Sequence, residues 1–224
     1  MTRAANGPRG KGLRVVLWRH GRTAWNTENR FQGHLDVELD PTGLEQAERA
    51  ARLLAALPPT AILSSDLVRA SDTAEALSRW TGLEVLRDPD LRETNGGSWQ
   101  GHLGREIEAL DGQAYRAWRA GEDVVPGGDG ETRTQVADRA VAAIGRGLEV
   151  LDVGAVLVVV THGGTARATI GRLLGLPVAH WDVFGGLSNA AWSVLEERSD
   201  AGWRLAEHNA GTLPEPVVGD DAQT

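Results

Sequence analysis

Leu13-Arg14-Val15-Val16-Leu17-Trp18-Arg19-His20-Gly21 is the stretch on which the fold turns. The apolar run from Leu13 to Trp18 has the length of a strand, and its near-continuous hydrophobicity fits a strand covered on both faces. A second run, Val156 to Val160, has the same character, and it too leads into a histidine followed by glycine, Thr161-His162-Gly163-Gly164. Both runs predict central parallel strands. In an open α/β sheet, ligands collect outside the carboxyl ends of the strands, near the point where strand order reverses. Both His-Gly pairs would sit there.

Between the two runs, Pro41 to Leu57 spaces its apolar residues for a helix, with Asp40 as N-cap and Pro41 at the first helical position. Ala61 to Ser64 predicts a third strand, Leu67 to Trp80 a helix, and Leu83 to Leu86 a fourth strand. Helical spacing continues over Arg105 to Arg119 and Thr132 to Leu151, and the segment Pro126 to Gly130 between them reads as a loop. A helix over Thr165 to Leu174 precedes a hairpin-like pair, Asn189 to Leu195 and Trp203 to His208. Alternating strands and helices make this an α/β chain, with one domain over residues 13–213. Residues 1–12 and 214–224 have the composition of flexible ends.

The 224 residues carry a formal net charge of −8. That balance disfavours a general nucleic-acid or membrane binder, which needs a basic surface. An anionic substrate would instead require arginines gathered locally, since Lys11 is the one lysine among 23 basic residues. The chain has no cysteine, so disulfides and thiolate metal sites are excluded. The first twelve residues lack the apolar core of a signal peptide, and the apolar run after them is too short to span a bilayer. A cytoplasmic location is the expectation.

His20 and His162, 142 positions apart, each follow a predicted central strand, and Arg19 precedes the first. A lone histidine is more often structural than catalytic, so it is the convergence of the pair that asks for a chemical explanation. Two further segments lie between them: Ser64-Ser65-Asp66-Leu67-Val68-Arg69-Ala70-Ser71-Asp72-Thr73-Ala74, and Leu91-Arg92-Glu93 with Gly97-Ser98-Trp99-Gln100-Gly101. Together with residues 17–26 and Thr161 to Gly164, these motifs in this order resemble the histidine phosphatase (phosphoglycerate-mutase-like) superfamily.

The resemblance implies a three-layer α/β/α sandwich around a mostly parallel sheet. It also implies a metal-independent phosphomonoesterase that acts on a small phosphorylated metabolite through a phosphohistidine, with no cofactor. Phosphoryl transfer demands an in-line nucleophile, charge stabilisation on the equatorial oxygens and a proton for the leaving oxygen. By resemblance, His20 is the nucleophile, and Arg19 and Arg69 bind the phosphoryl oxygens in charge-assisted hydrogen bonds. His162, preferably protonated, binds the same oxygens, and Gly163 and Gly164 after it let the chain turn and approach the substrate. Glu93 gives a proton to the departing alkoxide and then takes one from the attacking water. Asn26 and Gln32-Gly33 hydrogen-bond the phosphoryl group or the substrate beside it, and Arg22 would add positive potential. Each role has a plainer rival: Arg69 on a helix surface, Glu93 in a solvated turn, Asn26 as a cap, Gln32 as a loop side chain. His34, His102, His180 and His208 show no paired ligand spacing and read as structural or peripheral. No metal site is expected.

Within the superfamily, Trp25 to Phe31 looks mutase-like, but the long insertion of bisphosphoglycerate-dependent mutases is missing and Tyr115 is the sole tyrosine. Gln32-Gly33 and residues 97–101 resemble the phosphatase branch instead. A closer resemblance, to actinobacterial glucosyl-3-phosphoglycerate phosphatases, runs through Leu91 to Thr94, Ala117 to Arg119, Leu176 to Trp181 and Gly185 to Asn189. It implies a sugar or glycerate phosphate as substrate and a homodimer. The segment near Leu213 is expected to help close the site. Three rivals stand beside this reading: a mutase, a non-catalytic phospholigand-binding module that would have lost His20 or Glu93, and a metal-dependent hydrolase that would need a ligand cluster.

Overall fold

The computed structural model describes residues 12–199 and 202–211. The flexible ends expected at residues 1–12 and 214–224 and the closing segment near Leu213 lie outside the described residues, apart from Gly12. In chain order the elements are β1 (Arg14–Arg19), α1 (Ala24–Glu28), α2 (Pro41–Ala55), β2 (Ala61–Ser64), α3 (Val68–Thr81) and β3 (Val85–Arg87). Then follow α4 (Gly104–Arg119), α5 (Arg133–Glu149), β4 (Val156–Thr161), α6 (Gly163–Leu173), β5 (Trp192–Glu197) and β6 (Trp203–Ala210).

The six strands form one sheet in the order β3-β2-β4-β1-β5-β6. β1, β2, β3 and β4 run parallel, whereas β5 and β6 add an antiparallel end. The two runs that predict central strands are neighbours, paired from Arg14 opposite Val156 to Arg19 opposite Thr161.

Alternate residues of the same strands feed different layers. Val16, Trp18, Val158 and Val160 face α2 and α3, where Ala47, Ala51, Leu54, Ala70, Ala74 and Leu77 are buried against them. Val15, Leu17, Leu157 and Val159 face α5 and α6, packing on Ala140, Ile144, Ala166 and Ile170. Covering both faces buries residues 15–19 and 156–161, and this is why the centres of β1 and β4 read as apolar runs. Small alanines on the helices bring these backbones close to the sheet.

Helix ends follow their local chemistry. The Asp40 carboxylate accepts the Gly43 N–H at 2.8 Å, capping α2 as expected. That helix stops two residues short of Leu57, because the backbone tightens to bonds from Ala56 to Leu53 and from Leu57 to Leu54 before Pro58-Pro59. Thr132 caps α5 in a reciprocal box with Gln135. Strand β3 starts at Val85 rather than Leu83, since Gly82 closes α3 at φ +72° and the chain needs a turn to re-enter the sheet. A separate aromatic cluster, Phe31 and Trp99 with Tyr115 and Trp118, packs α4 against the loop after α1.

Candidate active site

Because β1 and β4 are parallel and paired at Arg19 and Thr161, the residues that follow them emerge side by side, at about the 4.8 Å spacing of neighbouring strands. The His20 N–H donates to the Thr161 carbonyl at 3.0 Å, and the imidazole rings of His20 and His162 lie 5.1 Å apart between centroids. Both side chains are buried. The convergence expected of the two His-Gly pairs is therefore a direct product of strand register.

His20 Nδ1 lies 2.6 Å from the Gly21 carbonyl oxygen. A carbonyl can only accept, so Nδ1 carries the proton and Nε2 keeps its lone pair. Burial, Arg69 and Arg19 push the His20 pKa well below the usual histidine value, against a smaller opposing pull from that carbonyl. These surroundings favour the neutral ring, with its lone pair at Nε2. The His20 carbonyl accepts from the Ala190 N–H at 3.1 Å and Asn189 Nδ2 at 3.3 Å, which fixes the backbone behind it. Gly21 is required by close approach: a Cβ there would lie 2.3 Å from the carbonyl oxygen of Gly43 in α2.

Arg19, the last residue of β1, is buried and donates from Nη1 to the Leu187 carbonyl at 2.5 Å. Arg69, on the first turn of α3, is fully buried and donates to the carbonyls of Leu35 at 2.9 Å and Gly33 at 2.8 Å. It is no surface arginine. Both guanidiniums press the two imidazoles toward the neutral form.

His162 lies at the N-cap position of α6, with Nε2 2.9 Å from Ser65 Oγ, at the carboxyl end of β2. Without a bound phosphoryl group, its surroundings favour the neutral ring. Burial first, then Arg69, His20, Arg139 and Arg19, lower its pKa well below the usual value.

Glu93 forms the wall on the side of α6. Its Oε1 accepts from the N–H groups of Thr94 at 2.8 Å and Thr165 at 3.1 Å and from Thr165 Oγ1 at 3.2 Å, while Oε2 accepts the Gly164 N–H at 3.1 Å. The carboxylate thus caps the N-terminus of α6, one turn from His162. A Cβ on Gly164 would stand 2.7 Å from Oε1, so this position admits only glycine without displacing the Glu93 carboxylate.

Asn26, Gln32 and Gly33 lie beside the pocket with jobs of their own. Asn26 is the third residue of the α1 capping box, its Oδ1 accepting from the Thr23 N–H at 3.0 Å and from Asn189 Nδ2 at 3.2 Å. Any contact with a ligand falls to its Nδ2 amide. Gln32 Oε1 accepts from Thr23 Oγ1 at 3.0 Å. Gly33, at φ +52°, offers its carbonyl to Arg69 and packs against Gln100. Arg22 is spoken for by Asp40, at 2.7 Å.

Several contributors carry no sign of their role in the sequence. Ser65 orients His162, and Asn189 joins Asn26 to the His20 carbonyl. Arg139, on α5, donates to the carbonyls of Asp90, Arg92 and Glu93 and pairs with Glu131. Burial opposes ionisation of Glu131, yet His34, Arg139 and the Asn95 N–H outweigh it and hold the carboxyl far below the usual carboxylate range. His34 touches the Glu93 carbonyl, whereas His208 is tied to Ser193 and Gly185 away from this wall. Among the described residues no three His, Cys, Asp or Glu side chains are grouped to hold a metal ion, and no helix is long and apolar enough to cross a membrane.

Residues 15–211 match the model of the histidine phosphatase superfamily (branch 1). Glucosyl-3-phosphoglycerate phosphatase of Mycolicibacterium vanbaalenii is 44% identical over 182 residues, covering 79% of this chain and 80% of the relative. A metal-independent phosphoserine phosphatase of Arabidopsis thaliana is 39% identical over 163 residues, covering 71% and 68%. Among solved structures, a mycobacterial glucosyl-3-phosphoglycerate phosphatase in complex with VO3 superposes with a TM-score of 0.84 at 41% identity, covering 88% of this chain and 99% of that one. The α/β fold, the paired histidines on parallel strands and these relatives agree: the chain belongs to the histidine phosphatase superfamily, branch 1, and is a phosphatase.

Proposed function

We propose that this phosphatase hydrolyses a small phosphomonoester through a phosphohistidine at His20 Nε2, with a glycerate or sugar phosphate, glucosyl-3-phosphoglycerate foremost, as its substrate. The observation that carries the reading is the 2.6 Å contact of His20 Nδ1 with the Gly21 carbonyl, which leaves a neutral Nε2 lone pair beside Arg19 and Arg69. In the first step Nε2 attacks phosphorus in line, the bond to the substrate oxygen breaks, and Glu93 supplies the proton that the departing alkoxide needs. In the second, water attacks the phosphohistidine, its proton returns to Glu93, and the P–N bond breaks to release phosphate. Arg19, Arg69 and His162 stabilise charge on the equatorial oxygens, so a metal ion has no task left. The substrate class rests on the two phosphatases above, and a cytoplasmic location is proposed with it.

Phosphate release from glucosyl-3-phosphoglycerate, 3-phosphoglycerate, phosphoserine and sugar phosphates, with EDTA present, tests the reading. Rapid acid-free quenching should trap an alkali-stable phosphoryl-enzyme that His20→Ala lacks. Chelator-sensitive turnover or an unaffected His20→Ala rejects the mechanism, and phosphoserine as best substrate rejects only the substrate. Isomerisation of 3-phosphoglycerate on adding bisphosphoglycerate, without phosphate release, would make the chain a mutase.

A further inference from the structure

Glu93 is held at both ends. Beyond the bonds to its carboxylate, its backbone carbonyl accepts two hydrogen bonds, from His34 Nε2 and Arg139 Nη2, each at 2.8 Å. Since the carbonyl only accepts, His34 carries its proton on Nε2. Arg139 also spans the carbonyls of Asp90 and Arg92, at 2.7 Å each, and is itself fixed by both carboxylate oxygens of Glu131. Glu131 Oε2 in turn accepts the Asn95 N–H at 2.9 Å. The chain is thereby gripped on both sides of the acid.

His34 reaches the other way as well. Its own N–H donates to Gln100 Oε1 at 2.6 Å, and the carbonyl of the preceding Gly33 binds Arg69. One residue thus touches the acid through its ring and adjoins, through its backbone, the loop that anchors a phosphate-binding arginine.

We propose that His34 is a positioning residue that couples the Arg69 loop to Glu93, with Arg139 and Glu131 as the rigid frame behind the acid. The inference rests on the reading of Glu93 as the general acid. Its consequence is selective. An alkoxide needs its proton to depart, so displacing the acid slows alkyl phosphates; a dinitrophenolate leaves unprotonated and is insensitive. Loss of folded protein would instead lower both activities by one factor.

The experiment compares kcat/KM for 3-phosphoglycerate or phosphoserine, whichever wild type turns over, with that for 2,4-dinitrophenyl phosphate. The proteins are wild type, His34→Ala, His34→Gln and Glu93→Gln, each as the full chain. Glu93→Gln should lose about 100-fold or more on the alkyl ester and far less on the aryl ester. His34→Ala should lose about 10-fold more on the alkyl than on the aryl ester, as a sub-ångström misplacement does. His34→Gln, which keeps an N–H donor, should recover most of that loss. Equal losses on the two esters, or none, in His34→Ala while Glu93→Gln still discriminates would overturn the positioning role alone. A Glu93→Gln protein that does not discriminate would overturn the acid assignment and this inference with it.

Discussion

Gly164→Ala separates the needs of the helix from those of the site. Position 164 lies in the first turn of α6, where alanine is the better helix former by up to about 1 kcal/mol. On propensity alone the variant gains stability. Its new methyl, however, would stand 2.7 Å from Glu93 Oε1 and 3.3 Å from Thr94 Oγ1, where ordinary contact begins at 3.4 Å. The carboxylate must therefore retreat by about 0.7 Å, the difference between 3.4 and 2.7 Å. It cannot do so while keeping its bonds to the N–H groups of Thr94, Gly164 and Thr165. Loosening one hydrogen bond to a charged group costs about 1.5–3 kcal/mol, which offsets the helix gain, and misplacing a catalytic group by about 1 Å lowers rate by about 100-fold. We expect a melting temperature within a few degrees of wild type, with kcat/KM for an alkyl phosphate down about 10- to 100-fold. Calorimetry and initial-rate phosphate release measure the two quantities. Full activity in a folded Gly164→Ala protein would refute the placement of Glu93 against α6 as a catalytic requirement.

Two further outcomes follow from the charges in the pocket. His20 and His162 have folded-state pKa values below the ordinary 6.5, so on acidification the unfolded chain takes up protons that the folded protein refuses. Stability is thus complete above about pH 6.5 and falls below it, by up to about 1.4 kcal/mol per pH unit for each histidine; denaturation between pH 7 and 5 should give a shallower slope in His162→Asn, and an unchanged slope would reject the assignment. Arg19→Lys keeps a charge but replaces a planar fork, already committed to the Leu187 carbonyl at one nitrogen, by a single ammonium. The vanadate inhibition constant should weaken about 10- to 100-fold, and an unaltered constant would show that Arg19 does not bind the phosphoryl oxygens.

The centre of the fold was legible because burial on both faces writes itself into β1 and β4 as continuous apolar residues. The edges were not. β3 is three residues long with Leu86 and Arg87 exposed, so it carries no such run. β5 starts at Trp192, not Asn189, because Ala190 adopts φ +58° and the chain turns there, placing Asn189 and Ala190 against the His20 carbonyl. Helix α1 is five residues and is marked only by the Thr23–Asn26 box. At the site, five side chains named from motifs, Arg19, His20, Arg69, Glu93 and His162, converge. The supports were invisible for a physical reason. His34 and Arg139 act on backbone carbonyls, and a carbonyl is the same acceptor whichever residue bears it, so no pairing of residue types records the contact.

The different roles proposed for the two histidines trace to geometry within one shared environment. Burial and the same two arginines keep both rings neutral, which is what a nucleophile requires, and the Gly21 carbonyl aims the His20 lone pair. Among the described residues no backbone carbonyl bonds the His162 ring; its Nε2 meets the Ser65 hydroxyl, which can accept or donate and therefore tolerates either protonation state. A phosphoryl dianion entering this space opposes the field of Arg19 and Arg69 at short range in a low dielectric. On the mechanism proposed above, such a dianion would favour protonation of His162, whose surroundings otherwise lower its pKa. The proposed mechanism therefore expects positive charge at His162 to follow substrate binding, while His20, held to the Gly21 carbonyl as a donor at Nδ1, keeps its Nε2 lone pair for attack.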